Sequence, residues 1–182
     1  MQNNVLLLVG LPGTGKTLAA KYFSIMAPGI PVISLGKLTQ KIIKEKGLII
    51  NEKNEKQIRE KLRLKFGNAV FAEKILPEIK LNLTDNKHLI VEGLRSGKEL
   101  EYLKKNLKKE KIILIYLDVE KNIRTKRLLT RRKRPMTVKE IEKREDYEIN
   151  SLKIEKLKSF ADYVIENNRS KEEFYKKLKK LI

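Results

Sequence analysis

Cysteine is absent from the 182-residue chain and histidine occurs once, and both scarcities narrow the chemistry available to it. Without cysteine the chain forms neither a disulfide bond nor a thiolate metal site. That composition is compatible with the reducing cytoplasm, where we expect the protein to act. The single histidine, His88, opens an apolar run. We therefore interpret it as a strand-end residue rather than as a catalytic base.

Long apolar runs and an N-terminal targeting pattern are also missing. The runs VLLLV at 5–9 and IILIYL at 112–117 are far shorter than the roughly 20 residues of a membrane-spanning helix. No lysine or arginine precedes Lys16, and no small-residue cleavage site is present, so we expect no secretory signal peptide. The basic C-terminal segment SKEEFYKKLKKLI carries an apolar stripe. We expect this stripe to pack on the core, with attachment to a membrane surface as the alternative.

Aromatic residues make up only 6% of the chain, although its formal net charge is +19. Such a charge attracts nucleic-acid backbones. The basic runs, however, lack the interleaved aromatic residues that stack on bases, as in KKNLKKEK at 104–111. A nucleic-acid partner is therefore not favoured. The alternatives are a lysine-rich solvated surface and a cationic site for nucleotide phosphates.

A glycine-rich octet, GLPGTGKT at 10–17, fits the pattern G-x-x-x-x-G-K-[ST]. It follows the apolar run Val5–Val9 and precedes a helical pattern, which is the context of a phosphate-binding loop. Glycines let several backbone N–H groups point at one phosphate, and the start of the helix adds positive potential. In this pattern the lysine reaches the β- and γ-phosphates and the hydroxyl binds Mg²⁺. The residues assigned to the nucleotide are Gly10, Gly13, Thr14, Gly15, Lys16 and Thr17. A plain strand–turn–helix is the alternative.

Short apolar runs alternate with helical segments along the whole chain. This alternation predicts an α/β fold with a parallel sheet and helices on both faces. The predicted helices between the second and third strands are 37–46, 55–66 and 70–81, with Pro77 kinking the last or marking a boundary. The predicted strands are Val5–Val9, Pro31–Ser34, His88–Glu92, Ile112–Asp118 and Tyr163–Glu166.

Polar residues follow these strands at their carboxyl ends, where ligands bind in open parallel sheets. Ser34, Glu92 and Asp118 all occupy such positions. Glu92 is the candidate to place Mg²⁺, through water, with Asp118 as the alternative. Arg95, three residues after Glu92, is positioned to grip a second phosphate group. The alternative for this segment is a turn with a surface ion pair and no functional role.

The segment KNIRTKRLLTRRKRP at 121–135 contains no acidic residue. Arg124, Arg127 and Arg131 are spaced i, i+3 and i+7 and so share one helical face. Phosphoryl transfer requires positioned cations rather than covalent chemistry. We therefore expect at least two arginines of this segment to reach the phosphates, with a solvated basic helix as the alternative.

Taken together, these motifs resemble the P-loop nucleoside monophosphate kinases over most of the chain. The matching stretches are GLPGTGKT, ISLG at 33–36, VEGLRS at 91–96, LDVEKNIRTKRLLTRR at 117–132 and KREDYE at 143–148. LRLKFGNAVFAEKI at 62–75 and ADYVIENNRS at 161–170 are most similar to an archaeal adenylate kinase-related group, akin to dephospho-coenzyme A kinases. The chain departs from the standard pattern at Lys37 and Gln40, and at Glu92, where the family has aspartate. Its short lid has no zinc-site cysteines.

This resemblance implies roles for individual residues. Ser34, Gly36, Arg63 and Arg95 would bind the acceptor, and Asn167 and Arg169 would lie against the donor adenine. Thr17 and Glu92 would place the metal. The catalytic residues would be Lys16, Arg127, Arg131 and Arg144, with Asp146 at the lid exit.

We therefore expect a single domain over 1–182 with a three-layer P-loop fold and a five-stranded parallel sheet. It would carry an acceptor-binding helical insertion at 37–80 and a short lid at 128–145. The expected reaction transfers the γ-phosphoryl group of Mg·ATP to a nucleoside monophosphate, with AMP as the first candidate. The alternatives are a dephospho-coenzyme A kinase-like enzyme with Glu92 as base, an ATPase in RNA or ribosome assembly, and a nucleotide sensor.

Overall fold

A five-stranded, wholly parallel sheet forms the centre of the fold, with strand order β2-β3-β1-β4-β5. The computed structural model describes residues 3–86 and 88–181. Each predicted strand is confirmed to within one residue at either end. The strands are β1 (Asn4–Val9), β2 (Val32–Ser34), β3 (His88–Glu92), β4 (Lys111–Asp118) and β5 (Tyr163–Glu166).

Helices connect the strands and cover both faces of the sheet. They are α1 (Lys16–Met26), α2 (Leu35–Glu45), α3 (Glu52–Phe66), α4 (Val70–Asp85), α5 (Gly97–Asn106), α6 (Lys121–Thr130), α7 (Val138–Asp146) and α8 (Lys171–Lys179). A π-helical turn (Tyr147–Ser151) and a 3₁₀ segment (Ile154–Phe160) lie between α7 and β5. No helix in 3–86 or 88–181 combines the length and apolarity that crossing a bilayer requires.

All three helices predicted between the second and third strands differ from the prediction in their bounds. Helix α2 spans Leu35–Glu45 rather than 37–46. Helix α3 begins at Glu52 rather than at residue 55, because the side chain of Asn51 accepts a hydrogen bond from the Asn54 N–H at 2.9 Å and caps it. Helix α4 continues through Pro77 to Asp85, so Pro77 marks no boundary. Proline removes one helical hydrogen bond. The buried apolar face of α4 holds the helix together across that position.

The core consists of two apolar layers, one on each face of the sheet, because successive strand residues point to opposite faces. Leu7 of β1 joins the layer that packs against α4 and α5, and Leu8 joins the layer that packs against α1 and α8. Phe174 and Leu178 are fully buried in the second layer. The apolar stripe of the C-terminal helix therefore packs on the sheet, as expected.

Helices α6 and α7, which include most of the segment predicted as a lid at 128–145, are joined by a small apolar cluster of Leu128, Met136 and Ile141. Arg124 of α6 forms a buried ion pair with Glu145 of α7. Arg124 therefore joins the two helices, and it does not share the environment of Arg127 and Arg131. The parallel strands bring their carboxyl ends to one edge of the sheet, where this helical pair faces the glycine-rich loop.

Candidate functional site

The glycine-rich loop joins β1 directly to α1 and is enclosed on two sides. Gly10, Gly13 and Gly15 all have positive φ, which L side chains rarely adopt. At Gly15, where φ is 99°, an added Cβ would lie 2.7 Å from Nδ2 of Asn167. That amide also donates to the carbonyl of Thr14 at 3.0 Å. The loop after β5 thus braces the phosphate-binding loop, and only glycine fits between them at position 15.

Lys16 directs its ammonium group into the curl of this loop. Its Nζ donates to the carbonyl oxygens of Gly10 at 2.6 Å and Leu11 at 2.8 Å. Burial lowers the pKa of Lys16 to about 8, although the nearby carboxylates of Glu148 and Glu92 act in the opposite direction. Charge-assisted bonds to phosphate oxygens are stronger than bonds to neutral carbonyls. The buried ammonium therefore fits a polyphosphate tail.

Thr17 and Glu92 are joined at the mouth of the loop. The Thr17 hydroxyl donates to Oε2 of Glu92 at 2.9 Å, which brings together the two residues predicted to place Mg²⁺. Asp118, the alternative acid, instead pairs with Lys158 at 2.7 Å. Within 3–86 and 88–181 no group of three or more acidic or histidine side chains could hold a metal ion. One hydroxyl and one carboxylate fit Mg²⁺, which keeps several waters and binds substrate phosphates.

A cavity of about 300 Å³ opens in front of the loop and collects most of the predicted site residues. Its walls come from the loop, α1, α2, α3, the end of β3, α6 and the lid. The predicted residues that line it are Gly13, Gly15, Lys16, Thr17, Ser34, Gly36, Glu92, Arg95, Arg127, Arg131 and Arg144. Gly10 and Thr14 shape the loop from behind, where the buried Thr14 hydroxyl donates to the Leu11 carbonyl at 2.9 Å.

Arg127 and Arg131 approach this cavity from α6 and the start of the lid. Nη2 of Arg127 donates to the carbonyl of Asn167 at 2.9 Å, and its Nη1 lies 3.4 Å from the carbonyl of Gly13. Arg131 donates to the carbonyl of Arg134. In the part of the chain that the structure describes, neither guanidinium has a carboxylate partner.

The remaining predicted residues lie around the cavity rather than in its wall. Arg63 donates to Glu99 and lies 4.6 Å over the ring of Phe71, with only 3% of its side chain exposed. Arg169 is exposed and lies 3.7 Å from Glu173. Asp146 accepts a hydrogen bond from Nδ2 of Asn150 at 2.7 Å.

Helix α3 contributes a set of charged residues that sequence reasoning missed. Arg59, which lines the cavity, pairs with Glu55 at 3.3 Å and also with Glu52. Glu55 pairs in addition with Arg134 of the lid. Glu52, Glu55 and Arg59 are spaced i, i+3 and i+7, so one helical face carries all three. That spacing is the sequence signal that could have revealed them.

Glu148 is a further residue that the sequence did not single out. It lies in the π-helical turn and is 2% exposed. Its Oε1 accepts from Arg95 at 2.6 Å and from Arg144 at 3.1 Å. Arg144 also contacts Glu52 at 2.7 Å. Glu148 thus joins the loop after β3 to the lid.

The pKa values of this group reflect competition between burial and ion pairing. Burial alone would raise the pKa of Glu148, but Arg95, Arg144, Lys16 and Arg59 outweigh it and lower that pKa to about 2. Burial lowers the pKa of Arg95 to about 9, with Glu148 opposing the shift. For Arg144, burial favours a lower pKa, but Glu148 and Glu52 prevail and raise it. Glu148 is therefore ionised at neutral pH.

Comparison with known proteins identifies the family. Residues 6–148 match the family described as AAA domain. A UPF0200 protein from Pyrococcus horikoshii is 31% identical over 180 residues, which cover 98% of this chain and 95% of the relative. The chain belongs to the AAA domain and UPF0200 families. A UPF0200 relative from Methanocaldococcus jannaschii shares 29% identity, over 96% of this chain and 87% of its own.

Solved structures that are similar to this chain support the fold assignment. TT1252 from Thermus thermophilus aligns with a TM-score of 0.68 and 18% identity, over 100% of this chain and 97% of its own. Shikimate kinase from Acinetobacter baumannii, in complex with shikimate, aligns with a TM-score of 0.59 and 17% identity, over 100% and 91%. The UPF0200 protein therefore has a P-loop kinase-like, three-layer α/β fold, as predicted. Its grouping with adenylate kinase-related proteins and dephospho-coenzyme A kinases stays a prediction.

Proposed function

We propose that this UPF0200 protein transfers the γ-phosphoryl group of ATP to a small phosphorylated acceptor, with a nucleoside monophosphate such as AMP as the first candidate. One observation carries the proposal. A single cavity is lined by the P-loop lysine, by the joined Thr17 and Glu92, and by arginines from four separate segments of the chain. Phosphoryl transfer needs such positioned cations and little else from a protein.

The donor end of the cavity is formed by the glycine-rich loop and α6. The loop amides and Lys16 would hold the nucleotide tail, while Arg127 and Arg131 would face the transferred group. Thr17 and Glu92 would hold Mg²⁺, which would supply charge neutralisation on the phosphates. Asn167 braces the loop, and we propose that the adenine lies beside it and Arg169.

The acceptor end is formed by α2, α3 and the segment after β3. Ser34, Gly36 and Arg95 line it, and Arg144 reaches it from the lid. Arg63 would act on the acceptor indirectly, through Arg95. It pairs with Glu99, whose Oε2 accepts from the backbone N–H of Arg95 at 2.6 Å. In this proposal Arg63 positions Arg95 rather than contacting the acceptor.

The lid, residues 128–145, and the helical insertion, residues 37–80, meet across the cavity. Arg134 and Arg144 of the lid contact Glu55 and Glu52 of α3. Closure of this kind excludes water, which would otherwise compete with the acceptor for the phosphoryl group. These contacts support the proposed division of the chain into a lid and an acceptor-binding insertion.

A hydroxyl acceptor is the second candidate, and the position of Glu92 favours it. An acceptor phosphate is already anionic, whereas a hydroxyl group needs a base within hydrogen-bond reach. Glu92 lines the cavity beside the loop and has a carboxylate suited to that role. The structural neighbours include proteins named shikimate kinase and sugar kinase. A dephospho-coenzyme A kinase-like reaction is one version of this candidate.

A coupled assay distinguishes the candidates. Purified protein is given Mg·ATP with AMP, other nucleoside monophosphates, dephospho-coenzyme A or shikimate, and ADP formation and the phosphorylated product are both measured. We expect turnover with a monophosphate and its loss in Lys16→Ala. Lys21→Ala, on the exposed face of the same helix, is the matched control. Failure of ATP to bind in calorimetry, or equal turnover in the two variants, would contradict the proposal.

A further inference from the structure

Four arginines at the acceptor end of the cavity are already paired with carboxylates of the chain itself. We define this acceptor-end network as Arg59, Arg95, Arg134 and Arg144 together with Glu52, Glu55 and Glu148. All four arginines line the cavity. Each of them makes at least one ion pair with one of the three carboxylates. Four guanidinium groups thus face three carboxylates, which leaves one uncompensated positive charge.

The donor end differs sharply in its charge balance. Lys16, Arg127 and Arg131 hydrogen-bond to carbonyl or hydroxyl oxygens, and within residues 3–86 and 88–181 no carboxylate forms an ion pair with them. Glu92 lies beside them but is bonded to Thr17. Several positive charges are therefore available to a polyphosphate at this end. At the other end most of the charge is already neutralised.

We infer that Glu52 and Glu55 are specificity-determining residues that limit the acceptor to a single anionic group, an inference that rests on the proposed phosphotransferase function. A phosphate monoester, with about 1.5 to 2 negative charges at neutral pH, already takes up the one uncompensated positive charge at the acceptor end. Each further phosphate would meet guanidinium groups already saturated by carboxylates, and those carboxylates would repel it. The acceptor end thus takes a phosphate monoester and rejects a diphosphate or triphosphate.

Because these carboxylates pair with arginines of the lid, the selection against a second phosphate group depends on the lid being closed. Glu52 and Glu55 belong to α3, whereas two of their partners, Arg134 and Arg144, belong to the lid. Glu52 and Glu55 are 6% and 5% exposed, so water screens their charge weakly. Discrimination therefore acts when the lid lies over α3, which is the arrangement that excludes water. It keeps a second ATP out of the acceptor end.

The test compares Glu55→Gln and the double variant Glu52→Gln/Glu55→Gln with wild type and with Glu60→Gln. Glu60 lies on the same helix, is partly exposed and pairs with Lys56 at 3.7 Å, so Glu60→Gln removes the same charge from outside the acceptor-end network. Calorimetry with Mg·ATP counts the nucleotides bound per chain. A second titration, with ATP already saturating the donor end, measures the affinity for inorganic tripolyphosphate.

We expect wild type and Glu60→Gln to bind one ATP. Glu55→Gln and the double variant should bind a second ATP and should bind tripolyphosphate about tenfold more tightly for each carboxylate removed. If wild type binds no ATP, the proposed function and this inference both fall. If wild type binds one ATP and the affinity for tripolyphosphate changes no more in Glu55→Gln than in Glu60→Gln, only this inference falls. Thermal unfolding shows whether each variant is folded. If the double variant is unfolded, the comparison of Glu55→Gln with wild type and Glu60→Gln decides whether the inference holds.

Discussion

Replacement of Glu148 by glutamine should lower the free energy of unfolding near neutral pH, and this effect should disappear in acid. The wild-type carboxylate has its pKa lowered from 4.5 to about 2 because burial is outweighed by the surrounding cations, Arg95 first among them. A lowered pKa stabilises the fold at pH values above 4.5, and that stabilisation is lost as the pH falls through 2. At about 1.4 kcal/mol per pH unit, the contribution is about 3 kcal/mol.

Urea unfolding of wild type and Glu148→Gln between pH 2 and pH 6 measures this contribution. We expect wild type to exceed the variant by about 3 kcal/mol in free energy of unfolding at pH 6, because glutamine leaves Arg95 and Arg144 buried beside a neutral group. The difference should shrink steadily below pH 4.5 and vanish near pH 2. A difference that stays constant across this range would refute the reasoning. Glu60→Gln, at a partly exposed position in a pair with Lys56, should show a difference below about 1 kcal/mol throughout.

Three further predictions concern the loop, the lid and the core. Arg127→Ala should slow phosphoryl transfer by about 10³-fold or more in a coupled assay, while Lys126→Ala, its exposed neighbour, should retain wild-type rates. Gly15→Ala should weaken ATP binding in calorimetry at least tenfold, because its Cβ would strike the bracing amide and φ is positive; wild-type affinity would contradict the loop geometry. Phe174→Ala should lower the free energy of unfolding by about 3–5 kcal/mol in urea titrations, whereas Leu64→Ala, at 91% exposure, should change it by less than about 0.5 kcal/mol.

The strands and the phosphate-binding loop could be predicted from the sequence because their signals are local. A buried parallel strand is a short apolar run, and VLLLV and IILIYL show it directly. The loop pattern depends on the spacing of glycines and lysine within eight residues. Thr17 and Glu92 lie within hydrogen-bond distance because parallel strands bring their carboxyl ends to one edge of the sheet, and their role in placing Mg²⁺ stays a prediction.

The acceptor-end network could not be predicted in the same way, because its contacts join residues far apart in the chain. Glu52 and Arg144 are 92 positions apart, and Arg95 and Glu148 are 53 apart. A charged residue on a lysine-rich helix is ordinarily solvated, so the spacing of Glu52, Glu55 and Arg59 shows a shared helical face but does not show that the face is buried. Arg124 shows the opposite case. Its spacing placed it with Arg127, but a carboxylate on the next helix drew it into the interior.

The π-helical turn that carries Glu148 makes the site sensitive to the length of the chain as well as to its composition. The N–H of Leu152 donates to the carbonyl of Tyr147, five residues earlier, at 3.1 Å. Deleting one residue within this wide turn would restore ordinary α-helical winding, and each residue of an α-helix adds about 100° of rotation. A deletion on the N-terminal side of Glu148 would then rotate its carboxylate relative to α7 and away from Arg95, which lies in the loop after β3, with no change in the charge of the chain. The number of residues in this turn therefore affects the geometry of the site independently of which residues occupy the turn.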